Sequence, residues 1–370
     1  MILVSDKVDH NKWNSVVEDV GINGTLFQST YWAEYLRREY RDRPIYIASI
    51  DKKGSIQGLL LAIESCYALQ SAVHMPGKRG VVLGKIYTKV LSSIAHRIFP
   101  FIYWAYGPII LPSVAQSSRE TLYKSMIGKV MERSYARRCY AIKFARPPYY
   151  DDRPEVFSSF GFQQKKMGTV LVNLDKPEQV WLQVHESTRR LIRRTIEKGV
   201  YINEVQRLGE LWEFYRVQLE SSRRTETKEY PFSYYTSLWN YFYPRGKIVA
   251  FVARLRDQPV GALLLLTHNE MLHAWAMGDS NHARSAKLQL NRVLVWHAIN
   301  WGHSKQFKHL DLSGVELWAI DADDKKRNIF AFKSQWGTMM PEYHDYTKTL
   351  EENRCVKLLG HFMTDSVIHN

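Results

Sequence analysis

One stretch in each half of the chain has the same layout. In 51-DKKGSIQGLLLAI-63 and in 254-RLRDQPVGALLLLTH-268 a polar turn joins two apolar, strand-length runs, with Gly58 or Gly261 at the corresponding place in the second run. That pattern is a hairpin signal. The elements that follow repeat in the same order. After the first hairpin come a helix over 118–137, a strand 140-YAIKFA-145 and a short helix in 154-PEVFSSFGF-162 that stops at Gly161. After the second come an amphipathic helix over 285–303, a strand 308-KHLDLSG-314 and a short helix that stops at Gly337 in FAFKSQWGT. Glycine just past an apolar helical turn ends a helix because it accepts left-handed dihedrals.

The chain therefore reads as two copies of one mixed α/β (α+β) unit. Each copy holds two helices, an antiparallel meander, a helix, a strand, a helix and a strand, which is the acetyltransferase (GNAT) order. The expected domains are 1–175 and 176–350, with a closing segment 351–370 that carries a helix at about 353–365. The boundary falls near Asp175–Pro177, after 169-TVLVNL-174 and before a helix that begins at Pro177. A chain of 370 residues is long enough for two domains of about 150–200 residues each. No heptad run occurs between 180 and 250, so no coiled-coil arm is expected.

Hydrophobic residues at 45% and aromatic residues at 13% supply enough apolar surface for packed cores, which argues against disorder. The N-terminus lacks a basic segment followed by a long apolar one, so no secretory signal is expected. The longest apolar run, 98-IFPFIYWAYGPIILP-112, is interrupted by prolines and a glycine and reads as core strand and turn, not as a membrane span. Three separated cysteines, Cys66, Cys139 and Cys355, form no disulfide framework and fit a reducing cytoplasm. The net charge of +14 favours phosphate-rich partners: nucleic acid, an anionic membrane surface or nucleotide-linked substrates. No HExxH, CxxC or acidic cluster is present, and His268, His273 and His297 make no ligand set, so no metal is expected. No GxSxG or Cys/His signature marks a nucleophile-based hydrolase.

The stretch 328-NIFAFKSQWG-337 places Lys333 among Ile329, Phe330, Phe332 and Trp336. Burying an ammonium is costly unless a negative group meets it. The side chain either reaches solvent, with its stem packed on Trp336, or it waits for an anion. The second half brings together 187-STRRLIRRTIEKGVYI-202, 278-GDSNHARSAKLQLNRVLVWHAINWG-302, 309-HLDLSGVE-316 and FAFKSQWG. The first half adds 27-FQSTYWAEYL-36 and 106-YGPIIL-111. In this order they resemble the FemABX family, tandem-GNAT aminoacyltransferases that extend peptidoglycan stem peptides from aminoacyl-tRNA. DLSG followed by FKxxWG is the most specific part, and the resemblance covers nearly the whole chain.

The resemblance implies amide formation, with an amine attacking an acyl ester and no covalent enzyme intermediate. It implies that Lys333 binds tRNA phosphate or ribose, or stabilises the developing oxyanion. In the helix 187–200, Ser187 is expected as N-cap and Gly199 as the end. Leu191, Ile192, Thr195 and Ile196 are expected to face inward, which leaves Arg189, Arg190, Arg193, Arg194 and Lys198 as a cationic surface suited to a phosphate backbone. Asp311 shares a strand face with His309 and Ser313 and is a second catalytic candidate; Asp345 in 341-PEYHDY-346 is a weaker one. Arg223, Arg224, Tyr230 and Tyr234, placed in a loop beside a cleft, are acceptor candidates. Where the family's acceptor-binding positions carry a lysine, an arginine and a tyrosine, this chain has Leu36, Tyr230 and Ala276, and only Tyr234 is retained. The ordinary cell-wall precursor is thus not implied as acceptor.

Two other readings stay open. One is an acyl-CoA-dependent N-acyltransferase, although 284-RSAKLQLN-291 lacks the glycines with which single-domain acetyltransferases cradle pyrophosphate. The other is a non-catalytic protein that binds RNA or membrane through its basic surface. The expected location is the cytoplasm, with peripheral contact at the inner face of a membrane permitted by the charge.

Overall fold

A computed structural model describes residues 1–66, 100–146, 155–317, 320–321, 324–336 and 342–350. It divides into two compact units: Met1–Met167 with the chain from Glu342 onward, and Gly168–Pro341. In the first unit, β1 (Ile2–Ser5), α1 (His10–Asp19) and α2 (Thr30–Tyr40) precede β2 (Arg43–Ile50), β3 (Ile56–Cys66), β4 (Pro100–Ala105) and β5 (Ile109–Ile110). Helix α3 (Gln116–Ala136), β6 (Ala141–Ala145) and α4 (Val156–Ser159) follow. The strand order is β1-β2-β3-β4-β6-β13, with β5 on β3, where β13 is Glu342–Thr349.

The division falls inside β7 (Gln163–Asn173). The second unit continues with α5 (Pro177–Gln183), α6 (Glu186–Glu197), β8 (Val200–Glu204), α7 (Leu208–Thr225) and α8 (Phe232–Phe242). Next come β9 (Ile248–Leu255), β10 (Gln258–His268), β11 (Met271–Asp279), α9 (Asn281–Ser285), α10 (Leu290–Ser304), β12 (His309–Val315) and α11 (Asp324–Ser334). Its strand order is β7-β12-β11-β10-β9-β8, antiparallel except for the parallel pair β11–β12. Both units are thus mixed, mostly antiparallel sheets flanked by helices.

Both hairpins form, and their turns show why. Asp51 Oδ1 accepts from the N–H groups of Lys53 and Ser55, both at 2.8 Å, and Gly54 takes φ +84°. In the second hairpin Arg256 and Asp257 both take positive φ, the geometry of the tight turns that match strand twist. The two matching glycines lie at close approaches. A Cβ on Gly58 would meet Ile110 Cδ1 at 2.8 Å, and one on Gly261 would meet Leu290 Cδ1 at 3.0 Å. The core of the second unit sets Leu263 and Leu265 of β10 against Leu294 and Ala298 of α10. Each such buried leucine contributes roughly 2 kcal/mol.

Several expectations are corrected. The helix expected over 285–303 is two helices, α9 and α10, with Lys287 between them at φ +53°. Chain segment 342–349 does not stay with the second unit: Asp345–Thr349 pair with Ala145–Ala141 of β6, and Tyr346 stacks on Phe144 at 4.7 Å. The division therefore differs from the expected boundaries at 175 and 350. The terminal helix at 353–365 and the stop at Gly337 lie outside the described residues, as does Cys355, while Cys66 and Cys139 are buried.

A chain ending before Glu342 leaves the β6 edge without its partner and Phe144 without its stacking ring. Such a chain is expected to lose about 5 kcal/mol or more in the first unit, enough to abolish its cooperative unfolding. Calorimetry, with hydrogen exchange at β4 and β6, checks this.

Candidate active site

Strands β11 and β12 run parallel for only three residue pairs, from Met271↔His309 to His273↔Asp311. Beyond that point β12 leaves β11, and its register against β7 shifts between Asp311 and Gly314. At this irregularity Ser313 takes φ +68°, a conformation a non-glycine residue adopts only when its surroundings enforce it. The enforcement is visible. The Ser313 N–H donates to Asp311 Oδ1 at 2.8 Å, and the Ser313 hydroxyl donates to the Ala274 carbonyl. Asp311 is fully buried; it also accepts from Thr169 Oγ1 at 2.5 Å and faces His273 Nδ1 at 3.4 Å. In the first unit the parallel pair β4 and β6 stays joined over five residues, from Phe101↔Ala141 to Ala105↔Ala145. There Gln28 bonds Leu61 and the Ala105 carbonyl and packs onto Gly107, which joins the FQ and GP motifs.

Lys333, from the last turn of α11, reaches the irregular stretch of β12. Its Nζ donates to the carbonyl oxygens of Ser313 at 2.9 Å and Gly314 at 3.0 Å. Its stem is half-buried and its ammonium is enclosed, so burial lowers its pKa to about 8, against the opposing pull of Asp311. The side chain does not escape to water, and Trp336 beside it is fully buried. Among the described residues the third Lys333 N–H has no protein acceptor. Lys333 borders a cavity with about 20 Å³ of room for a water-sized sphere, lined otherwise by apolar groups that include Leu265, Ala274, Met277, Ala298, Leu312 and Phe332.

The basic helix α6 is joined to this end of α11. Gln335 Oε1 accepts from Thr188 Oγ1 at 3.0 Å and from Arg292 Nε at 3.2 Å, while Gln335 Nε2 donates to the Phe332 carbonyl at 2.5 Å. Arg190, Arg193, Arg194 and Lys198 are exposed and Arg189 is half-buried. Arg193 sits over the Trp181 ring at 5.4 Å, and Lys198 Nζ donates to the Ala286 carbonyl at 3.0 Å. None of these five cations meets a carboxylate among the described residues. Elsewhere in the unit Arg207, Arg223, Arg224 and Arg254 each do. Two local expectations change: the N-cap of α6 is His185, whose Nδ1 accepts from the Ser187 N–H, and Ile196 is 46% exposed, its place in the inward stripe taken by Thr188. Gly199 ends the helix at φ +87°, as expected.

Arg223 and Arg224 lie in the last turn of α7, not in a loop, and both are held by carboxylates. Arg223 meets Glu229 at 3.2 Å; Arg224 meets Asp279 at 2.5 Å. Tyr230 and Tyr234 stack at 4.3 Å, and Tyr234 Oη accepts from Trp275 Nε1 of β11. The bulge also breaks the strand alternation that placed His309, Asp311 and Ser313 on one face. Asp345 lies in β13 of the first unit. The sequence reading missed Thr169, Gln335 and Arg292. The only available signal was the two residues between Lys333 and Trp336 in the FKxxWG motif.

His268 is buried, neither ring nitrogen has a partner among the described residues, and burial, then Lys247 and His273, push its pKa down to about 3. His297 packs edge-on to Phe251 at 4.8 Å as a core residue. Because the unfolded state binds a proton at His268 first, stability is lost as pH falls below 6.5 towards 3, by up to about 1.4 kcal/mol per pH unit. A His268→Phe variant is expected to lose less stability over that range; urea unfolding at stepped pH measures the difference.

Residues 183–327 match the model of the acetyltransferase (GNAT) domain. Residues 183–327 thus carry a GNAT-type acyltransferase domain, and the two-unit architecture described above is a tandem GNAT-like fold. Its whole length resembles a solved structure of FemX, with a TM-score of 0.71 and 15% identity over 97% of this chain and 99% of that one. It also resembles the C-terminal domain of a putative lysylphosphatidylglycerol synthetase from Agrobacterium fabrum, with a TM-score of 0.55 and 10% identity over 98% and 100% of the chains. A tandem GNAT protein from the clavulanic acid biosynthesis pathway matches with a TM-score of 0.53 and 8% identity over 95% and 100%. The likeness to the FemABX architecture is therefore one of fold. No curated protein matches the sequence. No helix among the described residues is long and apolar enough to cross a membrane, and none of their His, Cys, Asp and Glu groups could hold a metal ion.

Proposed function

We propose that the chain is an aminoacyl-tRNA-dependent aminoacyltransferase that forms an amide on a primary amine. The acceptor is a cell-envelope precursor of the peptidoglycan type or another small amine-bearing molecule, nucleotide- or lipid-linked. The observation that carries this reading is the enclosed Lys333 ammonium at the parting of β11 and β12, joined through Gln335 to a helix of unpaired arginines. The amine nitrogen adds to the ester carbonyl carbon, and the negative charge on oxygen meets the third Lys333 N–H. The carbon–oxygen bond to the ribose then breaks, and the ribose oxygen takes the proton that the amine releases. The cations of α6 hold the phosphates of the tRNA end. Asp311 acts through Ser313, shaping the carbonyl pair that grips Lys333. The name of the lysylphosphatidylglycerol synthetase neighbour agrees with aminoacyl transfer to a lipid-linked acceptor.

The second reading, an acyl-CoA-dependent N-acyltransferase, is favoured by the family match over 183–327. Against it, the Gln289 N–H at the start of α10 is taken by Thr195 Oγ1 at 3.2 Å, which leaves one amide fewer for a pyrophosphate. A donor screen decides. Labelled aminoacyl-tRNAs and acyl-CoAs are offered with an extract of amine-bearing precursors, and label is expected in product from tRNA esters. Label only from CoA thioesters reverses the assignment, and label from neither, with RNA or vesicle binding kept, makes the protein a binding module.

A further inference from the structure

The first unit holds a group of cations that the transfer chemistry does not use. Glu64, near the end of β3, is fully buried, and three arginines converge on its carboxylate. Arg137, at the end of α3, takes it as a fork: Nε donates to both oxygens at 3.1 Å, and Nη2 donates to Oε1 at 2.8 Å. Arg43, the cross-strand neighbour of Glu64 on β2, adds one bond at 3.3 Å. Arg133, one turn before Arg137, comes within 3.9 Å and makes no hydrogen bond among the described residues.

One forked arginine satisfies a buried carboxylate, and this carboxylate has three. Among the described residues no other carboxylate lies within ion-pair distance of them, so a surplus of two positive charges stands at one place. The nearby Asp42 is buried and accepts from Ser65 Oγ at 2.6 Å and Tyr103 Oη at 3.3 Å. Like charges four residues apart on a helix repel, as Arg133 and Arg137 do. All three side chains are between a third and a half exposed, so a solute reaches them. We propose that Arg43, Arg133 and Arg137 form a binding site for a single phosphate group, with Glu64 as the buried anchor that fixes their guanidiniums. Converging forks suit one tetrahedral anion. A nucleic-acid backbone needs a row of cations instead, such as α6 presents. A phospholipid headgroup and a soluble phosphate ester offer the same oxygens, and the test separates these two sources.

The full chain is titrated with inorganic phosphate, followed by phosphorus NMR, and with vesicles of phosphatidylcholine with and without phosphatidylglycerol, followed by co-sedimentation. A third titration uses tRNA. Arg133→Gln breaks no hydrogen bond and Arg43→Gln breaks one, so Glu64 keeps its fork with Arg137 and urea unfolding is expected to change little. The double variant is expected to weaken binding to phosphatidylglycerol vesicles by about 25-fold, about 5-fold for each arginine. Its binding of inorganic phosphate is expected to fall by about 10-fold or more. Arg133→Gln alone is expected to lose about 5-fold on vesicles, which keeps the test open should the double variant unfold. The comparison is Lys52→Gln with Lys53→Gln, the same charge change in the turn beyond the eight residues of β2, about 25 Å from Arg43. That variant is expected to change each titration by less than about 2-fold, because the distance exceeds the screening length.

A loss on vesicles in the arginine variants, with or without a loss on inorganic phosphate, upholds the site and assigns it to a lipid headgroup. A loss on inorganic phosphate alone upholds the site and assigns it to a soluble phosphate. Equal losses in the lysine and arginine variants overturn it, as does wild-type protein that binds neither phosphate nor vesicles or arginine variants that bind both as wild type does. A tRNA affinity that falls further than the other two makes the cluster an RNA surface and overturns the single-phosphate site.

Discussion

Lys333→Met lowers amide transfer by about 100-fold or more at neutral pH while the chain stays folded. Removing one preorganised donor to a developing oxyanion typically costs about 2.7–4 kcal/mol of barrier. Methionine keeps the stem's packing against the apolar cavity wall and removes only the donor. The pH profile identifies the group. Because burial holds the Lys333 pKa at about 8, the protonated form prevails at pH 7 and is lost as pH rises past 8. Transfer should therefore decline above about pH 8. Lys333→Arg, which stays charged, moves that descending limb upward even where its rate is lower.

The same burial predicts a stability signature. The folded pKa of about 8 lies below the unfolded value of 10.5, so the buried ammonium destabilises the folded state at pH 7. That cost disappears as pH rises from 8 through 10.5. Relative to Lys333→Met, wild type should gain up to about 3 kcal/mol between pH 7 and 11, measured by urea unfolding of both proteins. A stability difference that does not vary with pH, together with unchanged transfer in the methionine variant, sinks the role given to Lys333.

Reversing two charges on α6, Arg190→Glu with Arg194→Glu, raises the tRNA concentration needed for half-maximal transfer by about 10- to 100-fold at moderate salt. The two residues are four apart on one exposed face of the helix. They meet no carboxylate among the described residues, so no internal ion pair is broken and stability changes little. Each lost phosphate contact takes about one from the slope of log affinity against log salt, so the double variant should be shallower by about two. The maximal rate is expected to change less than the half-saturating concentration, because neither side chain touches Lys333 or its carbonyl pair. A variant with wild-type salt dependence shows that α6 does not carry the RNA.

The hairpins were legible because their signals are local. A turn's hydrogen bonds involve residues within four of each other, as at Asp51, and strand periodicity is written in the run itself. The basic helix was legible for the same reason, and so were its glycine end and the oddity of a lysine in an apolar motif. Ile196 was misplaced because charge pattern gives a helix's outer face only approximately, and Thr188 was drawn inward by Gln335, 147 residues away. Arg223 and Arg224 read as loop residues because their carboxylate partners, which hold the last turn of α7, are not apparent from the helix's own sequence.

The sequence by itself determined the repeated set of elements, the mixed α/β class, the excess of positive charge and the presence of one lysine where apolar packing was expected. Only the tertiary structure decided that Glu342–Thr349 completes the sheet of the first unit and that β12 parts from β11 after Asp311. It alone decided that two strand carbonyls receive Lys333. The reason is range. Helix period and turn chemistry are settled within a few residues, whereas strand partners, bulges and the burial of a charge depend on which distant segments share the low-dielectric interior.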